Sequence, residues 1–146
     1  MAVKPIPEGF HTVTPAIIVN GSAGLIDFLK QAFDAKERNR MAGPGGAILH
    51  AEVQIGDSIV MMNDVMRGAP MPGSFYLYVR DCDATYKRAI QAGATSEMEP
   101  ADMFWGDRMG QVKDQLGNFW SIATHKEDLT EEETAKRAEA FFKQQQ

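Results

Sequence analysis

Residues 49–64, LHAEVQIGDSIVMMND, decide the architecture. Ala51, Val53 and Ile55 alternate with His50, Glu52 and Gln54, the period-two pattern of a strand with one buried and one open face. Gly56 and Asp57 follow as a tight hairpin signal, and Ser58 to Asn63 reads as the returning strand. Upstream, Lys36 to Met41 makes another strand. The intervening GPGG at 43–46 lacks the Lys and helix of a phosphate loop and reads as a hairpin turn. Further back, the β-branched run Thr12 to Val19 ends at the turn residues Asn20 and Gly21. Ser22 is the expected N-cap of a helix to about Phe33, with Leu25, Ile26, Leu29, Ala32 and Phe33 on one apolar stripe. The unit is therefore strand, helix, three strands.

The same order starts again after residue 66. Val19 matches Val79 at an offset of 60, and Gly56 in IGDS matches Gly117 in LGNF at an offset of 61. Ser74 to Val79 reads as a strand, Asp81 or Asp83 as a cap for a helix carrying Tyr86, Ala89 and Ile90, and Gly93 as its left-handed terminator. Further strands follow, one of them Phe119 to Thr124. The expected fold is α+β, two tandem βαβββ modules forming a cupped mixed sheet, plus a C-terminal helix. Its divisions are an extended lead-in (1–10), a first module (11–66), a linker (67–73), a second module (74–125) and the helix region (126–146). There, Thr130 and Glu133 make a capping box, and Ala135, Ala138, Phe141 and Phe142 an apolar stripe that suits its own domain or a second subunit.

Composition excludes several partners. The net charge is −5, with acidic residues spread through every segment, which leaves no electrostatic footprint for nucleic acid or anionic lipid. Cys82 is the single cysteine, so neither an intrachain disulfide nor a cysteine zinc cluster is available, and a small helical residue is the expected role. Met1 to Gly9 lacks the pattern of a signal peptide and no apolar run reaches membrane length, so a cytoplasmic protein is expected.

Three segments carry a resemblance: IIVNGSAGLIDFLKQAF (17–33), LHAEVQIGDSIVMMND (49–64) and WGDRMGQVKDQLGNFWSIATH (105–125). Together they resemble the vicinal oxygen chelate superfamily of glyoxalases, bleomycin-resistance proteins and extradiol dioxygenases, and the last two are similar to its PhnB-like branch. The resemblance implies a cup that, in the enzymes, holds a divalent metal. Its ligands come from the first strand of each module, five residues before the closing valine, and from the fourth, four residues after the hairpin glycine. Those positions are Thr14 and Ser74, and Val60 and Ser121. None is His, Asp or Glu, so no metal cofactor is expected at the inherited positions.

The candidate site residues lie on the expected cup face. His50 and Glu52, at i and i+2, are the best candidates for a catalytic acid–base pair, with a polar cross-sheet pair as the plainer reading. Trp105, Asp107 and Arg108 suit a rim that stacks on and charge-pairs with a ligand, or a turn in which Trp105 plugs the core and Asp107 pairs with Arg108. Tyr76 and Tyr78 share a face beside Ser74. Met62 is a candidate apolar wall, and Thr14 and Ser121 complete the ligand-binding set. His11 and His125 flank the repeat and are expected to be exposed. Two functions fit: a metal-free binding protein for a small organic molecule, expected as a homodimer, and a lyase, isomerase or dioxygenase relative with a rebuilt metal site or the His50/Glu52 pair.

Overall fold

The computed structural model describes residues 2–145. Strand β1 spans Ala16–Ile18, shorter than the β-branched run around it. Pairing starts at Pro15, whose carbonyl accepts from Met61 N at 2.9 Å, while a proline offers no N–H of its own. Helix α1 (Ser22–Phe33) buries Leu25, Ile26, Leu29, Ala32 and Phe33, as the stripe predicts. Each fully buried Leu or Ile contributes on the order of 2 kcal/mol. Strands β2 (Lys36–Ala42), β3 (Ile48–Ile55) and β4 (Ser58–Asn63) complete the module, and a 3₁₀ turn at Pro44–Gly46 joins β2 to β3. The sheet order is β1-β4-β3-β2, with β1 parallel to β4 and the other pairs antiparallel.

The cap of α1 differs from expectation. Gly21, not Ser22, holds the N-cap position, and no side chain from the helix start closes it. Asp64, just past β4, supplies the missing acceptor: Oδ1 accepts from Gly21 N (3.0 Å) and Ser22 N (2.7 Å), and Oδ2 from Ile48 N (2.8 Å). One carboxylate thus ties the helix N-terminus to the start of β3. Burial tends to raise the pKa of Asp64, but these three donors outweigh it and hold the group below the usual aspartate range.

The second module repeats the order: β5 (Ser74–Tyr78), α2 (Cys82–Gln91), β6 (Thr95–Asp102), β7 (Asp107–Lys113) and β8 (Phe119–His125), in sheet order β5-β8-β7-β6. Asp81 is the α2 cap, its Oδ1 accepting from Ala84 N at 3.1 Å, and Gly93 adopts φ +112° just beyond the helix. Cys82 is buried at the helix start. Trp120 stacks on Phe75 at 4.7 Å and donates its indole N–H to Asp114 at 2.8 Å, which satisfies the polar atom of a buried ring. Helix α3 (Glu131–Gln144) starts at Thr130, whose hydroxyl accepts from Glu133 N at 3.1 Å, and buries none of its described residues. Its Phe141 and Phe142 rings lie 5.4 and 5.9 Å from Phe104.

The chain divides into two compact units, each with its own four-stranded mixed sheet. One runs to Gly73 and takes in the Gln115–Asn118 turn; the other comprises Ser74–Asp114 and the chain from Phe119. Asn118 Oδ1 accepts from Gly73 N at 2.8 Å, one reason that turn groups with the first unit. Among the described residues, no helix is long and apolar enough to cross a membrane.

Candidate functional site

Strand register settles which positions share a face. Val19 N donates to Asn63 O at 3.2 Å and Val79 N to Ala123 O at 2.8 Å, so β4 and β8 correspond at an offset of 60. The hairpin glycines, offset by 61, mislead by one residue. Val60 is buried at 5 % exposure and pairs with Val53 on the helix-covered face. The open-face counterpart of Ser121 is Met61, which pairs with Ala16 as Ser121 pairs with Tyr76.

That correction also moves Met62. It pairs with Ala51, is 1 % exposed and belongs to the core beneath α1, so it forms no wall beside His50 and Glu52. Met61 takes that place. With Thr14, Glu52 and segments of the lead-in at Pro5, Ile6 and Phe10, it lines a cleft of about 580 Å³ on the first unit. His50 Nε2 and Glu52 Oε2 lie 2.9 Å apart, with the Glu52 side chain 13 % exposed, so the pair is formed as its spacing implies. His11 also borders the cleft and is exposed.

In the second unit the open face is organised by one carboxylate. Asp107, the first residue of β7, is 2 % exposed. Its Oδ2 accepts from the hydroxyls of Tyr76 (2.6 Å) and Tyr78 (2.9 Å) and from Trp105 Nε1 (3.2 Å); its Oδ1 faces His125 Nδ1 at 2.8 Å. Trp105 Nε1 also lies 3.1 Å from the Tyr76 hydroxyl, so this donor is shared. Three donors crowd Oδ2 and one meets Oδ1, and the residue is almost fully buried, so Asp107 is placed to position its neighbours.

The electrostatics agree with that role. Burial works to raise the Asp107 pKa, but the bonds from Tyr76, His125, Tyr78 and Trp105 prevail and hold it below the usual aspartate range. The same contact keeps the tyrosines protonated: burial and then Asp107 push the Tyr76 hydroxyl far up, and the bond to Asp107 raises Tyr78. His125 Nε2 faces Asp128 Oδ1 at 2.8 Å, so both ring nitrogens meet carboxylates and both must donate. Asp107, then Asp128, accordingly raises the His125 pKa and favours imidazolium.

Arg108, expected beside Asp107 at a rim, points the other way. Successive strand residues face opposite sides. Its guanidinium reaches α2, binding Asp83 through Nε (2.9 Å) and Nη2 (3.1 Å), and Asp102 through Nη1 at 3.3 Å. Asp107 and Arg108 thus do not pair with each other and engage different partners. Trp105 does not plug the core either; it is half-buried, edge-on to Phe104 at 4.9 Å. Ser121 lies on the Tyr76 face but is 6 % exposed and accepts from Gln111 Nε2 at 2.9 Å, whereas Ser74 is exposed.

The structure therefore gathers Tyr76, Trp105 and Asp107 into one group and Thr14, His50 and Glu52 into another. Tyr78 joins the first group as its shared face with Tyr76 implies, and the structure adds His125, expected only to be exposed, and Met61. His125 could have been found from the sequence by carrying the alternation Ser121, Ala123 one step past Thr124. Met61 needed the register.

The positions that the resemblance assigns to metal donors, read in this register, hold Thr14, Met61, Ser74 and Ser121. Three neutral hydroxyls and a thioether do not fit a hard divalent cation. Among the described residues, no three His, Cys, Asp or Glu side chains converge as a metal site elsewhere.

Paired βαβββ modules with an open sheet face in each define a class, and the sequence match agrees. The chain matches the Glyoxalase/Bleomycin resistance protein/Dioxygenase superfamily over residues 10–122 and belongs to it. An uncharacterized protein of Mycobacterium bovis is 38% identical over 122 residues, covering 75% of this chain and 80% of its own. Among solved structures, TioX from Micromonospora sp. ML1 aligns with a TM-score of 0.65 at 24% identity, covering 77% of this chain and 98% of its own. A PhnB protein from Bacillus cereus aligns at 0.64 with 16% identity, over 78% and 99% of the two chains. Both likenesses speak to the fold.

Proposed function

We propose that the chain is a small-molecule-binding protein that uses the open sheet faces of its modules without a divalent metal. The observation that carries this reading is the Asp107 cluster. A buried carboxylate is spent on fixing Tyr76 and Tyr78, which are themselves 43% and 65% exposed. Exposed aromatic rings lose water at little entropic cost when they are already held in place, which favours a stacking ligand. Asp107, buried beneath them, acts through the rings it orients. The likeness to the PhnB protein and the segments at 49–64 and 105–125 support a place in the PhnB-like branch. A homodimer and a cytoplasmic location complete the proposal, the latter suited to a chain with a single, buried cysteine.

The test is a titration with a panel of small aromatic compounds, followed through the backbone amides of Ser74–Tyr78 and the Trp105 indole N–H. Saturable shifts confined to those signals are expected, and Trp105→Ala should abolish them. If no compound produces them at millimolar concentration, the reading fails. Elemental analysis of tag-free protein after exposure to manganese, zinc, nickel and iron should find well under one metal per chain. Retained stoichiometric metal would remove the metal-free part of the proposal.

A second reading rests on the His50/Glu52 pair, where an imidazole and a carboxylate 2.9 Å apart adjoin the first unit's cleft. Such a pair is equipped to move a proton from a bound substrate. Should a turnover be found, His50→Ala leaving its rate unchanged would dismiss this reading.

A further inference from the structure

We infer that the Tyr76–Tyr78–Trp105 face selects organic cations: planar or aromatic ligands that carry an amidinium, guanidinium or ammonium group. The inference rests on the binding reading above and adds the class of ligand. It follows from where the protons are. Each tyrosine hydroxyl has a single proton, and both are donated to Asp107, at 2.6 and 2.9 Å. A hydroxyl so committed meets a ligand as an acceptor only. The Trp105 N–H beside them is directed at Asp107 and the Tyr76 oxygen. The face therefore asks its ligand to bring the donors.

The carboxylates nearest the rings point the same way. The carboxylates of Asp107 and Asp128 flank a single imidazole, His125, so at least one negative charge remains in this group in either form of the ring. On the reverse side, Arg108 is matched by both Asp83 and Asp102, and Lys87 and Lys126 also act on Asp83, so the cations there are balanced by carboxylates. Lys113 stands at the opposite end of β7, its ammonium 5.4 Å from the Phe119 ring centre. The Tyr76 and Tyr78 rings, 5.3 Å apart and tilted by 57°, present electron-rich faces that attract a cation. An anionic ligand would meet donors already committed to Asp107.

Three planar isosteres test this: benzamidine, benzamide and benzoate, cationic, neutral and anionic in turn. Each is titrated into the full-length protein in moderate salt, with the Trp105 indole N–H and the amides of Ser74–Tyr78 as reporters. Benzamidine should bind at least tenfold more tightly than benzamide, and benzoate should give no saturable shift. Tyr78→Phe, at an exposed position, should weaken benzamidine at least threefold and leave benzamide within twofold. Benzamide or benzoate binding as tightly as benzamidine overturns the cation preference and leaves the binding reading intact. Benzamidine shifts spread over the acidic surface, rather than confined to these reporters, also overturn it. No saturable shift from any of the three defeats both readings.

Discussion

A carboxylate that accepts from two tyrosines, an indole and a histidine is a costly thing to bury, and its neighbours register the cost. His125 is where this can be read directly. Because Asp107 and then Asp128 raise its pKa, protonated His125 is favoured in the folded chain relative to the unfolded one. The resulting stability is fully present below the unfolded value near 6.5 and is lost as pH rises through the raised folded value. A proton NMR titration of the His125 ring should show a midpoint above 6.5, and His125→Gln should remove that segment of the stability–pH curve. A midpoint at or below 6.5 would mean that the two carboxylates do not hold the ring. Gly106 is the second residue-scale constraint. Its φ is +100°, and a Cβ there would lie 2.5 Å from the Glu127 carbonyl oxygen. Its own carbonyl accepts from Lys126 N and Glu127 N at 2.9 and 3.0 Å. Gly106→Ala should destabilise the fold by about 1–3 kcal/mol in chemical denaturation, through both strain and displacement of the Trp105–Asp107 turn.

At the scale of elements, the two helices that cover the sheets are tethered differently. Asp81 caps α2 from its own N-terminus, a local arrangement that the sequence shows openly. Helix α1 is capped by Asp64, more than forty residues downstream, which also receives Ile48 N from β3. Asp64→Ala should therefore cost more than a routine cap, about 2–3 kcal/mol, because it strips a helix end and a strand end at once. Asp81→Ala should cost about 1 kcal/mol. Equal losses in urea denaturation of the two variants would contradict the bridging role of Asp64. In α3, a capping box and an apolar stripe announce the helix, yet nothing on it is buried among the described residues.

For the whole molecule, that helix supplies the remaining prediction. With Phe141 and Phe142 at 39% and 58% exposure, and Arg137 tied to Glu127, α3 contributes little to the core. Removing residues 130–146 should change the melting temperature by no more than a few degrees. If α3 joins two copies, the truncated chain should elute as a monomer where the full chain does not. An unchanged oligomeric state in light scattering would locate any dimer contact elsewhere. The repeat itself was readable from Val19 and Val79, a genuine structural pair, whereas Gly56 and Gly117 are matched turns at slightly different distances from their strands.

By itself the sequence determined the number and order of elements, the core stripe of α1, the extents of β3 and β4, and the face shared by His50 with Glu52 and Tyr76 with Tyr78. All of these are local: period, turn chemistry and caps act over a few residues. What tertiary structure decided is which strand lies beside which, and in what register. A one-residue slip exchanges faces, and so register sent Met62 to the core and Met61 to the cleft. It also brought His125 and Tyr76, from β8 and β5, onto one carboxylate of β7, and Asp64 onto a helix far upstream. Those convergences depend on pairings between distant segments, for which no single stretch of chain carries a signal.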